Sequence, residues 1–278
     1  LDLLRQRFGP AAVEDVFAGT PFAPKARAMK FGLYIIRGFS SSDIEANTHE
    51  QLKAAFSTVA SSFSTRRAVQ IKGSKLWYES LQVLLRNCTC SYMYEGSART
   101  RVLRATEVDV LDNLSRWLHA SHGSDDSNAF HQIVANIYSR ARNESIPWHS
   151  DSNCLLAQST EVLALSFGAP GVFCYQPKTT DVDPAWGFAK KLQGQKLREA
   201  CIDSKLRGCV PVRAGDLLLS TGTFMENCVH KSLPFTRLPN GTSESIQKIL
   251  AVYPSTSEAS RAVLSNASSW KDAAERFA

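Results

Sequence analysis

Short apolar runs separated by turn-forming residues fill the chain from about residue 133 onward. Four of them are VLALSF at 162–167, VFCY at 172–175, DLLLS at 216–220 and KILAVY at 248–253. Runs of this length are typical of buried β-strands, and several strands at short spacing favour a barrel or a jelly roll. The pattern therefore predicts a mainly β, or α+β, fold around such a core.

Apolar residues at helical spacing occur outside these runs and predict flanking helices over residues 42–62 and 106–119. A Lys-rich helical insertion and a terminal helix complete the pattern. With 278 residues and 44% hydrophobic residues, the chain can form one domain with a sizeable core. We expect an N-terminal extension at 1–129, a jelly-roll core at 130–255 with an insertion at 182–207, and a C-terminal helix at 256–278.

Seven scattered cysteines, an odd number, favour reduced thiols and an intracellular protein of the cytoplasm or nucleus. No stretch approaches the roughly 20 apolar residues of a membrane span, so we expect no membrane association. The chain begins with Leu1 and no initiator Met, so targeting signals can lie upstream.

His149-Ser150-Asp151 is the sole H-x-[DE] tripeptide in the sequence. In an extended segment, residues two apart point to the same side, so the imidazole and the carboxylate can face one ion. His230, 81 positions later, can complete a facial triad that leaves positions open, as in non-haem Fe(II) oxygenases. Composition alone would give one chance H-x-[DE] about half the time, so the tripeptide needs its context.

Four sequence blocks supply that context. They are FHQIVANIY at 130–138, IPWHSD at 146–151, LALSFGA at 163–169, and GDLLL at 215–219 followed by His230. In this order they resemble the AlkB family of Fe(II)/2-oxoglutarate dioxygenases, which has an N-x-Y strand, W-H-S-D or a variant, an LSFGA strand and a GDLLxM…H block. The resemblance implies a double-stranded β-helix (jelly-roll) core, Fe(II) bound by His149, Asp151 and His230, and 2-oxoglutarate and O₂ as cosubstrates.

The same resemblance implies that Asn136 and Tyr138 hydrogen-bond 2-oxoglutarate, where an ordinary strand with a core Tyr is the alternative. The last strand departs from the family, because 245–253 read SIQKILAVY in place of R-x-N-x-x-x-R. A desolvated carboxylate requires a cation, and Lys248 is the one cation on this strand. The alternative is that Lys248 is a solvated strand end, with Arg213 or Arg237 as the substitute cation.

A basic stretch at 64–104 contains eight Lys or Arg residues and two Glu residues, a surplus of +6. Aromatic residues are interleaved with these charges, which is typical of nucleic-acid binders. The resemblance places the family's substrate lid here. After the metal Asp the family often has further acids that contact the base, whereas this chain has Ser152 and Asn153, whose amide can still read a base. We therefore expect substrate contacts from Tyr92, Tyr94, Arg99, Arg101 and Asn153. A solvated basic surface with core aromatics is the alternative.

These expectations combine into an oxidative demethylase of N-methylated bases in RNA or single-stranded DNA, expected to be a monomer. The hydroxylated methyl group would leave as formaldehyde. One alternative is a hydroxylase or demethylase of a protein or small molecule, which the charge of 64–104 disfavours. Another is a non-catalytic AlkB-like binder, which the missing C-terminal arginines favour and the complete metal triad disfavours.

Overall fold

The computed structural model describes twelve stretches of the chain, and every structural statement below concerns these residues: 2–39, 67–71, 74–84, 93–94, 98–99, 101–104, 132–138, 148–151, 162–166, 170–177, 207–234 and 266. They belong to two compact units. One lies within Leu1–Asp43 and Ser145–Ala278, and the other within Ile44–Glu144. The single-domain arrangement expected from the sequence stays a prediction.

Mostly antiparallel sheets with few helices make up the described part of the chain, which confirms the mainly β prediction at that level. The helices are α1 (Asp2–Phe8), α2 (Ala23–Ala28) and α3 (Phe224–Asn227). None of these described helices is long and apolar enough to cross a membrane. In chain order the strands are β1 (Val13–Asp15), β2 (Phe31–Ile36), β3 (Arg67–Ile71), β4 (Ser74–Leu84), β5 (Met93–Tyr94), β6 (Ala98–Arg99), β7 (Arg101–Arg104), β8 (Gln132–Ile137), β9 (Val162–Leu165), β10 (Gly171–Pro177), β11 (Gly208–Val212), β12 (Leu217–Gly222) and β13 (Cys228–Pro234).

The first unit contains a four-stranded antiparallel sheet in the order β1-β2-β12-β9. Strands β9 and β12 were predicted from their apolar runs. Strands β1 and β2 were not predicted, although β2 pairs with β12 along its full length, from Leu217 opposite Ile36 to Gly222 opposite Phe31. An apolar run of six residues shows that a strand is buried, but it does not specify a partner almost two hundred residues away.

A three-stranded antiparallel sheet in the order β11-β10-β13 is the second sheet of this unit. Strand β10 was predicted from its apolar run. Its register places Tyr175 opposite His230 on β13, and Cys174 opposite both Cys209 and Lys231. The three described cysteines, Cys174, Cys209 and Cys228, are buried.

One aromatic core joins the two sheets of the first unit. Phe31 and Leu218 reach it from the four-stranded sheet, and Tyr175 and Val210 reach it from the three-stranded sheet. Phe17 lies at its centre and contacts four other rings edge-on or stacked, at centroid distances from 4.8 to 6.3 Å: Phe22, Phe31, Tyr175 and Phe224. Burial raises the pKa of the Tyr175 hydroxyl well above its ordinary value, so the ring remains neutral.

A buried carboxylate connects strand ends of both sheets through Arg37. Asp216 is fully buried and accepts hydrogen bonds from the Arg37 guanidinium at 2.9 Å and from the Gly38 amide at 2.9 Å. Arg37 also donates to the Pro211 carbonyl on β11 at 2.7 Å and to Glu14 on β1 at 2.9 Å. The Asp of the GDLLL block therefore has a structural role in this chain.

The second unit contains a sheet in the order β3-β4-β7, with β8 also paired to β4. The β4–β7 pairing is parallel, whereas β3 and β8 run antiparallel to β4. Strands β5 and β6 form a separate pair. Strand β8 lies in the segment expected to begin the jelly-roll core, and that expectation stays a prediction; which strand lies alongside β8 is not encoded by its apolar alternation.

Several predicted elements lie outside the described residues. They are the helices at 42–62 and 106–119, the insertion at 182–207 except Arg207, the strand at 248–253, and the terminal helix at 256–278 except Asn266.

Candidate metal centre

His149 and His230 are brought together by an isolated antiparallel bridge between the segment 148–151 and strand β13. The amide of His149 donates to the His230 carbonyl at 3.0 Å, and the amide of His230 donates to the His149 carbonyl at 2.8 Å. Residues that exchange both hydrogen bonds in this way project their side chains to the same face. The two imidazole centroids are accordingly 4.4 Å apart.

Asp151 lies two residues after His149 and faces the same side, as the alternation of an extended segment predicts. Its Oδ1 is 3.7 Å from His149 Nε2, and its Oδ2 is 3.4 Å from His230 Nε2. One ligand atom from each of the three residues lies within 4.8 Å of the others. Neighbouring ligands bonded to one ion at about 2.1 Å stand roughly 3–3.5 Å apart, and the two carboxylate–imidazole distances are close to this range, so the three residues could hold a single first-row metal ion.

The charge state of Asp151 suits metal binding. Burial of the carboxyl acts to raise its pKa, but the hydrogen bond from His230 and the positive charges of His230 and His149 together outweigh this effect. The resulting pKa is about 2, so the group is a carboxylate at all ordinary pH values.

Phe173 on β10 holds the ring of His230 in place. The two rings are stacked with centroids 5.2 Å apart and planes 20° from parallel. Both side chains are buried, at 7% and 6% exposure, so His230 has little rotational freedom. Its Nε2 is directed at Asp151, and its buried Nδ1 has no hydrogen-bond partner within the described part of the chain. Nε2 is therefore the nitrogen that could serve as a metal ligand.

The opposite face of the segment 148–151 makes a different set of contacts. Trp148 receives the Lys231 ammonium over its ring, with Nζ 4.6 Å from the centroid. The Ser150 hydroxyl donates a hydrogen bond to the carbonyl of Met225 on α3. The sequence analysis assigned no role to Trp148, Lys231 or Phe173. Only the register of β13 against its two neighbours would have identified them.

The remaining predicted site residues are distributed as follows. Asn136 is the next-to-last residue of β8, and Tyr138 follows the strand. Both side chains are exposed, that of Tyr138 to 37%. They belong to the second unit, as do Tyr94 on β5, Arg99 on β6 and Arg101 on β7. Arg213, an alternative cation for 2-oxoglutarate, pairs with Asp216 at 3.3 Å. Tyr92, Asn153, Arg237 and Lys248 lie outside the described residues.

No protein-family model and no curated protein matches the chain. A solved structure titled "The structure of OsALKBH1" is similar at 13% identity over 73% of this chain and 84% of that chain, with a TM-score of 0.37. A likeness of this degree carries no argument about activity, so the function proposed below rests on the three converging ligands and on the sequence blocks around them.

Proposed function

We propose that the chain is an Fe(II)- and 2-oxoglutarate-dependent dioxygenase of the AlkB type. The observation that carries the proposal is the convergence of His149, Asp151 and His230 on one point. Two imidazoles and one carboxylate on one side of an ion are the donor set of non-haem Fe(II) oxygenases. The same three residues stand in the sequence blocks that resemble the AlkB family, so geometry and motif agree independently.

The architecture of the first unit supports the double-stranded β-helix that this family uses. Two antiparallel sheets contribute to one aromatic core. Strand β13 of the smaller sheet carries His230, and the LSFGA and GDLLL blocks begin at β9 and just before β12 in the larger sheet. We propose that these two sheets are the two halves of a jelly roll.

The protein's own residues would hold and orient the metal. His149 and His230 each offer one neutral imidazole nitrogen, and Asp151 supplies the negative charge that makes the site selective for a cation. These three side chains would hold the ion from one side and would leave its other positions open for cosubstrates. When bound, Fe(II) with 2-oxoglutarate and O₂ supplies the oxidising power for removal of a methyl hydrogen. Phe173 shields one flank of His230 from water.

For the cosubstrate, we propose hydrogen bonds from Asn136 and Tyr138 and a positive charge from Lys248 to the distal carboxylate. The support is the N-x-Y block and the need for a cation beside a desolvated carboxylate. The ion pair of Arg213 with the buried Asp216 favours Lys248 over Arg213, because redirecting Arg213 would remove one partner of that carboxylate.

For the substrate, we propose an N-methylated base in RNA or single-stranded DNA. The +6 surplus of residues 64–104 and the interleaved aromatic residues support a nucleic-acid ligand. Tyr92, Tyr94, Arg99, Arg101 and Asn153 would contact it. A methyl group on a base is reachable only in a single strand or after the base leaves the duplex stack.

A non-catalytic binder is the second candidate, and one observation favours it. Residues 245–253 lack both arginines of the family's last strand. A chain that had lost the cosubstrate could retain the metal site and the basic surface. Hydroxylation or demethylation of a protein or small molecule is the remaining variant of the enzymatic proposal.

One assay separates these candidates. The full chain is incubated with Fe(II), 2-oxoglutarate and O₂, with and without methylated oligonucleotides, and succinate and formaldehyde are measured. The proposed enzyme produces both products, with formaldehyde dependent on the oligonucleotide and absent in His149→Ala. Succinate formation that no oligonucleotide stimulates points to another substrate class. Metal binding without any succinate would leave the non-catalytic binder and end the enzymatic proposal.

A further inference from the structure

The four residues Trp148, His149, Ser150 and Asp151 alternate in function as well as in direction. His149 and Asp151 face the metal site, and Trp148 and Ser150 face away from it. Each of the outward residues is held by a different element, Trp148 by Lys231 on β13 and Ser150 by Met225 on α3. The segment is thus bound on the face that does not bind metal.

The metal site depends strongly on this segment. The two histidine ligands belong to strand β13 and to a short extended segment, and within the described residues their backbones are joined by the two hydrogen bonds of a single bridge. Within the described residues this bridge is a single residue pair, whereas β10 and β13 pair over seven residues. Side-chain contacts at its ends therefore have a large share in fixing its geometry.

Lys231 and Trp148 occupy the next position along this bridge. Each neighbours a histidine ligand in sequence, and their side chains meet on the face opposite to the imidazoles. An ammonium 4.6 Å from the centroid of an indole ring is within the range of a favourable cation–π contact. Because both side chains point away from the metal, any influence on the ligands is transmitted through the backbone.

We propose that Trp148 and Lys231 are positioning residues, a clasp that holds His149 in register with His230 and thereby fixes the distance between the metal ligands. This inference rests on the metal site of the proposed function. By its charge alone, Lys231 would weaken metal binding, because a cation near a metal site repels the ion. As part of a clasp, Lys231 would strengthen metal binding.

The experiment measures Co(II) binding to the metal-free full chain by equilibrium titration, with the visible d–d absorption of the bound ion as a report on its coordination geometry. Lys231→Gln is expected to weaken Co(II) binding about 3- to 10-fold and to alter the absorption bands, as loss of a half-buried cation–π contact would. Lys231→Arg should restore affinity, because a guanidinium stacks on indole as well. Lys25→Gln, which removes a Lys from helix α2, is the matched control and should bind as the wild type does.

A double-mutant cycle shows whether the two residues act as a pair. Trp148→Leu should reduce Co(II) affinity to the same extent as Lys231→Gln, and the double variant should lose no more than either alone. Lys231→Met, which keeps the aliphatic stem, replaces Lys231→Gln if the latter does not fold. The melting temperature of each metal-free variant identifies losses caused by unfolding.

Three results would overturn the clasp. They are unchanged or tighter Co(II) binding in Lys231→Gln and Lys231→Met, additive losses in the double variant, or failure of Lys231→Arg to restore affinity. Failure of the proposed function looks different. In that case the wild type itself does not bind Co(II), or binds it equally well as His230→Ala.

Discussion

Asp151 determines what the candidate site can hold, because its carboxylate contacts both imidazoles at 3.4 and 3.7 Å. Its pKa of about 2 arises because the hydrogen bond from His230 and the two nearby positive charges outweigh the effect of burial. A carboxylate at this point attracts a divalent ion, and a neutral amide of the same shape does not. The residue therefore links the stability of the metal-free protein to its metal affinity.

Asp151→Asn should abolish Fe(II) and Co(II) binding while the fold persists. In the metal-free protein the lowered pKa of Asp151 stabilises the fold at pH values above 3.8, the ordinary pKa of an Asp. This contribution is lost as the pH falls toward 2. The unfolded chain binds the additional proton in this window, so stability rises with pH there. Acid unfolding curves should be shallower between pH 4 and 2 for Asp151→Asn than for the wild type. Identical curves would contradict the assigned ion pairing.

Substitutions of Lys248 test whether this residue binds the distal carboxylate of 2-oxoglutarate. Lys248→Ala should raise the 2-oxoglutarate concentration needed for half-maximal succinate formation about tenfold or more, since a buried carboxylate would lose its charged partner. Lys248→Arg should be tolerated or bind better, because it restores a bidentate fork. Co(II) affinity is the control and should not change. A normal 2-oxoglutarate requirement in Lys248→Ala would transfer the role to another cation.

Among the elements, strand β12 is central to the larger sheet, with β2 and β9 as its neighbours. At the end of β12, Gly222 lies close to the backbone of Lys30 and Phe31, where β2 begins. Gly222 has a φ of 60°, and a Cβ built there would lie 2.1 Å from the Lys30 carbonyl oxygen. Lys30 itself has a φ of 55°, so both chain reversals at this end of the sheet use left-handed backbone.

Gly222→Ala should lower the free energy of unfolding by about 2–4 kcal/mol, because strain in the left-handed region adds to the clash with Lys30. Gly19→Ala separates these two contributions. Gly19 has a φ of 70° and open space around a built Cβ, so its replacement should cost only about 1 kcal/mol of backbone strain. Denaturant unfolding of both variants is the measurement. Equal losses would show that the contact with Lys30 relaxes without cost.

The buried Asp216 should stabilise the fold through its ion pair with Arg37. Asp216→Asn should destabilise the chain by about 3 kcal/mol, because Arg37 would lose its charged partner at the junction of the two sheets. Arg213→Gln is the control. Its side chain is 36% exposed and its contact with Asp216 spans only three residues, so the loss should stay below about 1 kcal/mol. Chemical denaturation that ranks the two variants in the reverse order would contradict this account.

The outcome for individual elements shows what the sequence could predict. Strands β9, β10 and β12 were identified because each is a continuous apolar run, and His149 with Asp151 were placed together by alternation. The pairing of β2 with β12, the Arg37–Asp216 ion pair and the Trp148–Lys231 contact were not predicted. Each of these joins residues that are distant in sequence, and local patterns contain no information on register between distant strands.

At the scale of the whole molecule, the candidate metal ligands and the basic stretch belong to different units of the chain. The ligands lie in the unit of Leu1–Asp43 and Ser145–Ala278, and residues 64–104 lie within Ile44–Glu144. The two proposed tasks, metal binding and nucleic-acid binding, are therefore separable by mutation. A change in one unit should leave the other task measurable.

Replacement of Arg99, Arg101 and Arg104 by Gln tests this separation. The triple variant should bind single-stranded oligonucleotides more weakly, and the dependence of its affinity on salt should flatten by up to about three counterions. Co(II) affinity should stay at the wild-type value. Fluorescence anisotropy at several salt concentrations gives the oligonucleotide affinity and its salt dependence. If the wild-type chain does not bind oligonucleotides at low salt, the nucleic-acid proposal is contradicted, and a protein or small-molecule substrate is favoured.

The single bridge between His149 and His230 has a consequence for how such a chain can change over evolution. Successive side chains of an extended segment alternate in direction. Whether a residue from 148 to 151 points inward or outward therefore depends on whether it lies an odd or an even number of residues from His149. One inserted or deleted residue beside the bridge would exchange the two sets, turning an indole and a hydroxyl toward the ion and its proper ligands toward the outside. Two inserted residues would restore the parity. Length changes here should therefore be tolerated in pairs, and a lineage that acquires a single one would lose the proposed metal site although all three ligand residues remain in its sequence.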